Sequence, residues 1–153
     1  MIKWMVVIGL TLLCFSCFAQ SASPVYDATL AKKLGADDYG MKQYVIAFLK
    51  SGTPINDSVE RRKVLMAHLA NIQRLANEGK LLIAGPFLDN QDIKGIFIYD
   101  VKTVEEAKAL TETDPGIKAG LFTMELHPWY GSAALMQLMP IHKTLQKRAI
   151  TDR

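Results

Sequence analysis

The feature that most narrows the fold of this chain is an alternation of segment types between Gln43 and His127. QYVIAFL (Gln43–Leu49) is β-branched and aromatic on both faces, which predicts a buried strand. SGTPIND is a turn-rich loop, and from Ser58 a helix is predicted to run to Glu78-Gly79, where glycine ends it. Leu81–Ala84 reads as a short strand, Gly85–Lys94 as a polar hairpin connection and Gly95–Val101 as the return strand. Thr103 caps a second helix, with Glu105 and Glu106 near its positive end. After Asp114-Pro115, Leu121–His127 forms the last strand, halted by Pro128. The order β-α-β-β-α-β predicts an α+β, ferredoxin-like domain: a four-stranded antiparallel sheet with both helices on one face. Upstream, Asp27 caps a short helix that Gly35 stops after Leu34.

Two helices cover one face of such a sheet, and YVIAFL is apolar on the other face as well. An exposed apolar sheet face predicts a partner, and a homodimer through that face is the simplest arrangement. The tail Ser132–Lys147 carries Leu135, Leu138, Met139, Ile141 and Leu145 and reads as an amphipathic helix broken by Pro140, suited to packing across a dimer. A membrane contact for it has no support beyond that amphipathicity.

The N-terminus has the layout of a secretory signal peptide: Lys3, an apolar run from Trp4 to about Phe15, and small residues near Ala19. Cleavage after Ala19 is expected, which makes the protein periplasmic or extracellular. The run is shorter than the ~20 residues that span a bilayer, so stable membrane insertion is not expected. Lipid anchoring through Cys17 is the weaker alternative, because Cys14 stands where such sites carry leucine. Both cysteines lie inside the signal, so the mature chain has neither a disulfide framework nor a thiolate nucleophile. It retains about 134 of 153 residues, enough for one domain with a core of its own. A net charge of +3, with short basic runs at Arg61-Arg62-Lys63 and Lys147-Arg148 and no interleaved aromatics, argues against a nucleic-acid surface.

The segments HLANIQRLANEGKLLIAGP, FIYDVKTVEEAKAL and DPGIKAGLFTMELHPW resemble the YciI-like (YCII-related) family, over about Gln43–Trp129. The resemblance implies a dimeric α+β barrel, two ferredoxin-like units joined sheet to sheet, each with a pocket between sheet and helices. It also implies a catalytic His/Asp pair, which by motif falls on His68 and Asp114. The chain then divides into a signal peptide at 1–19, an N-terminal extension at 20–41, the YciI-like domain at 42–130 and a C-terminal tail at 131–153. One departure stands out: the family carries a bulky residue after the Asp-Pro, where this chain has Gly116, which predicts a wider pocket mouth or a looser Asp114 loop.

His68 follows Leu65 by three positions and precedes Ile72 by four, so it points toward the sheet with the apolar stripe of its helix. A histidine there is either a core residue satisfied by a backbone carbonyl or a general base, since imidazole titrates near neutrality. Asp114 likewise has two readings. It is a good N-cap before Pro115, or an orienting carboxylate that fixes the His68 tautomer. A pair without a nucleophilic serine or cysteine points to proton transfer, as in isomerisation, elimination or hydration of a small carbonyl compound.

Elsewhere the chemistry is thinner. His127 reads as strand-end packing and His142 as an exposed tail residue, and the three histidines lack metal-ligand spacing. Thr123 and Glu125 share one strand face and would line a barrel interior. GADDYG lacks the length and final glutamate of a calcium loop, and no glycine loop for phosphate is present. No metal or cofactor is expected. The first reading is therefore an exported acid/base enzyme of isomerase or lyase type. The alternatives are a non-catalytic barrel holding a small ligand, or a haem-binding barrel with His68 as axial ligand, related dimeric barrels including such members.

Overall fold

A computed structural model describes residues 25–152 apart from Asn90. The signal-peptide reading of Met1–Ala19 lies outside those residues. Among them no helix is long and apolar enough to cross a membrane.

The elements are α1 (Ala28–Leu34), β1 (Met41–Ser51), α2 (Ser58–Asn77), β2 (Leu81–Pro86), β3 (Ile93–Tyr99), α3 (Val104–Thr111), α4 (Pro115–Lys118), β4 (Phe122–Ser132), a 3-10 turn (Ala133–Gln137) and α5 (Leu138–Leu145). All strands pair antiparallel in the order β2-β3-β1-β4, the ferredoxin-like arrangement. Caps set the helix ends. Asp27 starts α1 and Gly35, at φ 71°, closes it. α2 begins at Ser58 as expected, and Asp57 caps it through the Glu60 N–H. Thr103 and Glu106 form a full capping box at α3.

The strand register sorts side chains onto two faces. Val45 and Ala47 stand opposite Tyr99 and Phe97, and Ala47 and Leu49 opposite Leu126 and Met124. With Leu75, Leu81, Val101 and Ala107 these residues build the main core beneath the helices. The second face carries Tyr44, Ile46 and Phe48 opposite Trp129, His127 and Glu125.

That second face is not wholly open. Tyr44, Leu82 and Ile98 are buried there, packed with Leu135 and Met136 of the 3-10 turn. Leu135 and Met136, at the start of the C-terminal tail, thus pack on the chain's own sheet, while Leu138, Ile141 and Leu145 stay exposed.

Three boundaries differ from expectation. The hairpin is tighter: β2 includes Gly85-Pro86, and β3 begins at Ile93 and ends at Tyr99. Pro128 does not halt β4, which continues to Ser132 with Pro128 opposite Val45. β4 is an edge strand, where one backbone side needs no ladder bonds and proline is tolerated. Pro140 does not break α5, because it sits in the first turn, where its missing N–H has no intrahelical partner to lose.

Candidate active site

α2 turns Val64, His68, Asn71 and Leu75 inward at spacings of four, three and four. His68 is thereby delivered onto the sheet, 6 % exposed, with its ring stacked near Phe97 (centroids 6.0 Å, 22° between planes) and tilted against Phe122 (5.1 Å, 48°). α4 packs across α2, and its N-cap is Asp114, which is 1 % exposed.

The two candidate residues meet. Nδ1 of His68 lies 2.9 Å from Oδ1 and 2.8 Å from Oδ2 of Asp114, with both side chains buried. The cap and the orienting carboxylate prove to be one arrangement, since Oδ1 also accepts the Gly116 N–H at 2.7 Å. Asn71 Nδ2 approaches Oδ2 at 3.5 Å, a long contact. A carboxylate beside Nδ1 selects the tautomer that carries its proton there, leaving Nε2 with a free lone pair. No hydrogen bond among the described residues uses Nε2, and no buried side-chain nitrogen or oxygen among them lacks a partner. Nε2 therefore keeps some of the small exposure left to His68. Of the two rings beside His68, Phe97 is buried and Phe122 half-buried, which makes Phe122 the wall nearer solvent.

Tyr99 stands in the same core. Burial first, and the Asp114 carboxylate second, push its phenol pKa up. Its hydroxyl finds only a weak acceptor, Met124 Sδ at 3.7 Å.

Gly116 does not widen the site. A Cβ there would lie 2.8 Å from Phe122 Cδ2 and 3.1 Å from Asp114 Oδ1. The space released by the missing side chain is filled by the Phe122 ring, and the loop is held by the Asp114 cap. Gly52 secures the same loop from the sheet side: its N–H and that of Thr53 donate to the Leu121 and Gly120 carbonyls, and a side chain there would collide with Gly120.

The remaining polar candidates lie elsewhere. His127 sits mid-strand on the second sheet face, with Nε2 2.8 Å from Glu125 Oε1 and its ring edge-on to Phe48. Lys50 pairs with the other Glu125 oxygen, and Lys50 and then His127 hold that carboxyl below the usual carboxylate range. Thr123 lies on the same face, opposite Lys50. His142 is exposed on α5, beside a groove of about 840 Å³ between α2, β2 and the C-terminal segment. A second groove of about 580 Å³ runs past Lys42, Asp100 and Glu106, and neither groove is lined by His68 or Asp114. Asn71, Phe122 and Tyr99 are the site residues that sequence reasoning missed. Only Asn71, three positions after His68 on the same helix face, left a local signal.

The YCII-related domain model matches residues 45–130. The chain belongs to the YCII-related family. Among its relatives are the YciI proteins of Escherichia coli and Shigella flexneri, each 37% identical over 75 residues, which span 43% of this chain and 76% of the relative. A solved structure, the 5-chloro-2-hydroxyhydroquinone dehydrochlorinase of Burkholderia phenoliruptrix in complex with 2,5-dihydroxybenzoquinone, is 27% identical. That alignment covers 56% of this chain and 92% of that one, with a TM-score of 0.42. In this YCII-related chain both site residues fall inside the matched span.

Proposed function

We propose that this YCII-related protein is a small-molecule enzyme that moves a proton on a small carbonyl compound, as an isomerase or lyase. His68 serves as base and acid, and Asp114 as its orienting group. One observation carries the reading: Nδ1 is engaged by both Asp114 oxygens at 2.8–2.9 Å while Nε2 is unpartnered at the edge of an apolar, aromatic-walled site. Nε2 takes the proton from the carbon beside the carbonyl, and the C–H electron pair moves onto the carbonyl oxygen. The imidazolium so formed is stabilised by the Asp114 carboxylate against Nδ1. In a substrate with an α-hydroxyl or a conjugated double bond, return of that proton to a different carbon completes an isomerisation; departure of a β-substituent with its electron pair completes an elimination. Positioned acid/base groups of this kind contribute about 10²–10⁴-fold to rate.

The partly open second face, with Ile46, Phe48 and Ile96 half-buried, supports a homodimer joined there. Export rests on the signal-peptide pattern of residues 1–19 and belongs to the same proposal.

The test is solvent-deuterium incorporation, followed by ¹H NMR, across a panel of small ketones, aldehydes and β-substituted carbonyl compounds. The expected result is exchange lost by about 10²–10⁴-fold in His68→Ala and sharply reduced in Asp114→Asn. Exchange indifferent to both substitutions removes the mechanism. Saturable ligand binding that survives both would assign a binding barrel instead, and a Soret band on adding haemin, lost in His68→Ala, a haem protein.

A further inference from the structure

We infer that Arg74, half-exposed on α2, acts on the buried His68/Asp114 pair as a positioning residue, through the amide of Asn71. This rests on the proton-transfer reading of that pair.

Both terminal nitrogens of the Arg74 guanidinium are engaged. Nη1 lies 2.8 and 3.0 Å from the two oxygens of Glu78. Nη2 lies 2.8 Å from Asn71 Oδ1 and 3.0 Å from Thr113 Oγ1. Thr113 has one hydroxyl proton, and the Leu110 carbonyl at 2.7 Å takes it. Toward Asn71, at 3.2 Å, Thr113 therefore offers no donor, and Arg74 alone supplies the proton that Asn71 Oδ1 accepts.

That settles which way the buried Asn71 amide faces. With Oδ1 committed to Arg74, the NH₂ group is turned to Asp114 Oδ2. The flipped amide would set its oxygen against the Asp114 carboxylate and its N–H groups against the guanidinium, two repulsive contacts in place of two attractive ones. Asp114 Oδ1 accepts the Gly116 N–H at 2.7 Å, and the Asn71 amide faces Oδ2 at 3.5 Å. A firm donor on one oxygen and an amide dipole toward the other favour the carboxylate rotation that turns both oxygens to Nδ1 of His68. Arg74 touches neither His68 nor Asp114; it fixes the residue that fixes the carboxylate.

The experiment is ¹⁵N NMR of the His68 side chain in the full chain, in wild type, Arg74→Met, Arg74→Lys and Asn71→Leu, with thermal denaturation alongside. Wild type is expected to show Nδ1 protonated and Nε2 bare. In Arg74→Met the Nε2-protonated tautomer is expected to rise severalfold over wild type, since an Asn71 amide free to turn no longer presents its N–H to Asp114 Oδ2. Asn71→Leu should show the same change. Arg74→Lys, which keeps the charge without the fork, should fall between. Arg74→Met should lower the unfolding midpoint modestly, because it removes the donor to the buried Asn71 Oδ1, while its pair with Glu78 is exposed. Wild type already showing Nε2–H would sink the reading of the His68/Asp114 pair itself. A correct wild-type spectrum that neither Arg74→Met nor Asn71→Leu alters would sink the role of Arg74 alone.

Discussion

Gly116→Ala tests how the site is walled. A methyl at this position lies 2.8 and 3.2 Å from Phe122 Cδ2 and Cε2, whereas ordinary carbon contacts begin near 3.4 Å. The ring must retreat by about 0.6 Å, or α4 must move away from it. Overpacking of this size costs about 1–3 kcal/mol. Gly116 lacks a positive φ, so alanine also returns about 0.4–1 kcal/mol by restricting the unfolded chain. The net expectation is a loss of about 1 kcal/mol, or roughly 3–5 °C in unfolding midpoint for a domain of this size. The main obstacle is the Phe122 ring, with Asp114 Oδ1 at 3.1 Å the lesser one, so most of the loss should disappear when that ring does. In a double-mutant cycle with Phe122→Leu, adding Gly116→Ala should be neutral or stabilising, giving a coupling of about 1–2 kcal/mol. The assay is urea and thermal denaturation of the four proteins. Equal destabilisation in both backgrounds would show that Phe122 does not occupy the space Gly116 leaves, and the packing argument would fail.

Two further outcomes follow from the same structure. Tyr99 has its phenol pKa raised by burial and by Asp114, so the native state keeps a proton that the unfolded chain releases near pH 10. Its contribution to stability is therefore complete below pH 10 and is lost as pH rises beyond it, by up to about 1.4 kcal/mol per pH unit. Tyr99→Phe should flatten that loss in alkaline denaturation; an unchanged alkaline limb would mean the hydroxyl is not held neutral. Thr103→Ala removes the capping box of α3 and should destabilise the chain by about 1 kcal/mol in urea titrations, while Lys102→Ala next to it should change little.

Much of this architecture is local, and for that reason it was legible. Gly35, Gly79 and the Thr103–Glu106 box mark helix ends within a few residues, and QYVIAFL declares a strand buried on both faces. His68 could be placed facing the sheet from its spacing to Leu65 and Ile72 alone. What escaped depends on distant pairing. Pro128 reads as a stop until β4 is known to be an edge strand. The packing of Leu135 and Met136 against Tyr44 and Ile98 joins residues far apart in the chain and leaves no local mark. Gly116 reads as an opening until Phe122, six residues on, is found to fill it. Helical periodicity puts Asn71 on the face of His68, but its approach to Asp114 spans 43 positions and is not written in that pattern.

The proposed role of Asp114 is to orient His68 so that its reactive nitrogen is Nε2. The ¹⁵N spectrum of His68 in wild type and in Asp114→Asn tests it most directly. Nδ1 protonated and Nε2 bare in wild type, with that preference weakened or reversed once the carboxylate becomes an amide, is the result expected. The same tautomer in both proteins, or a wild-type ring protonated at Nε2, would contradict the claim.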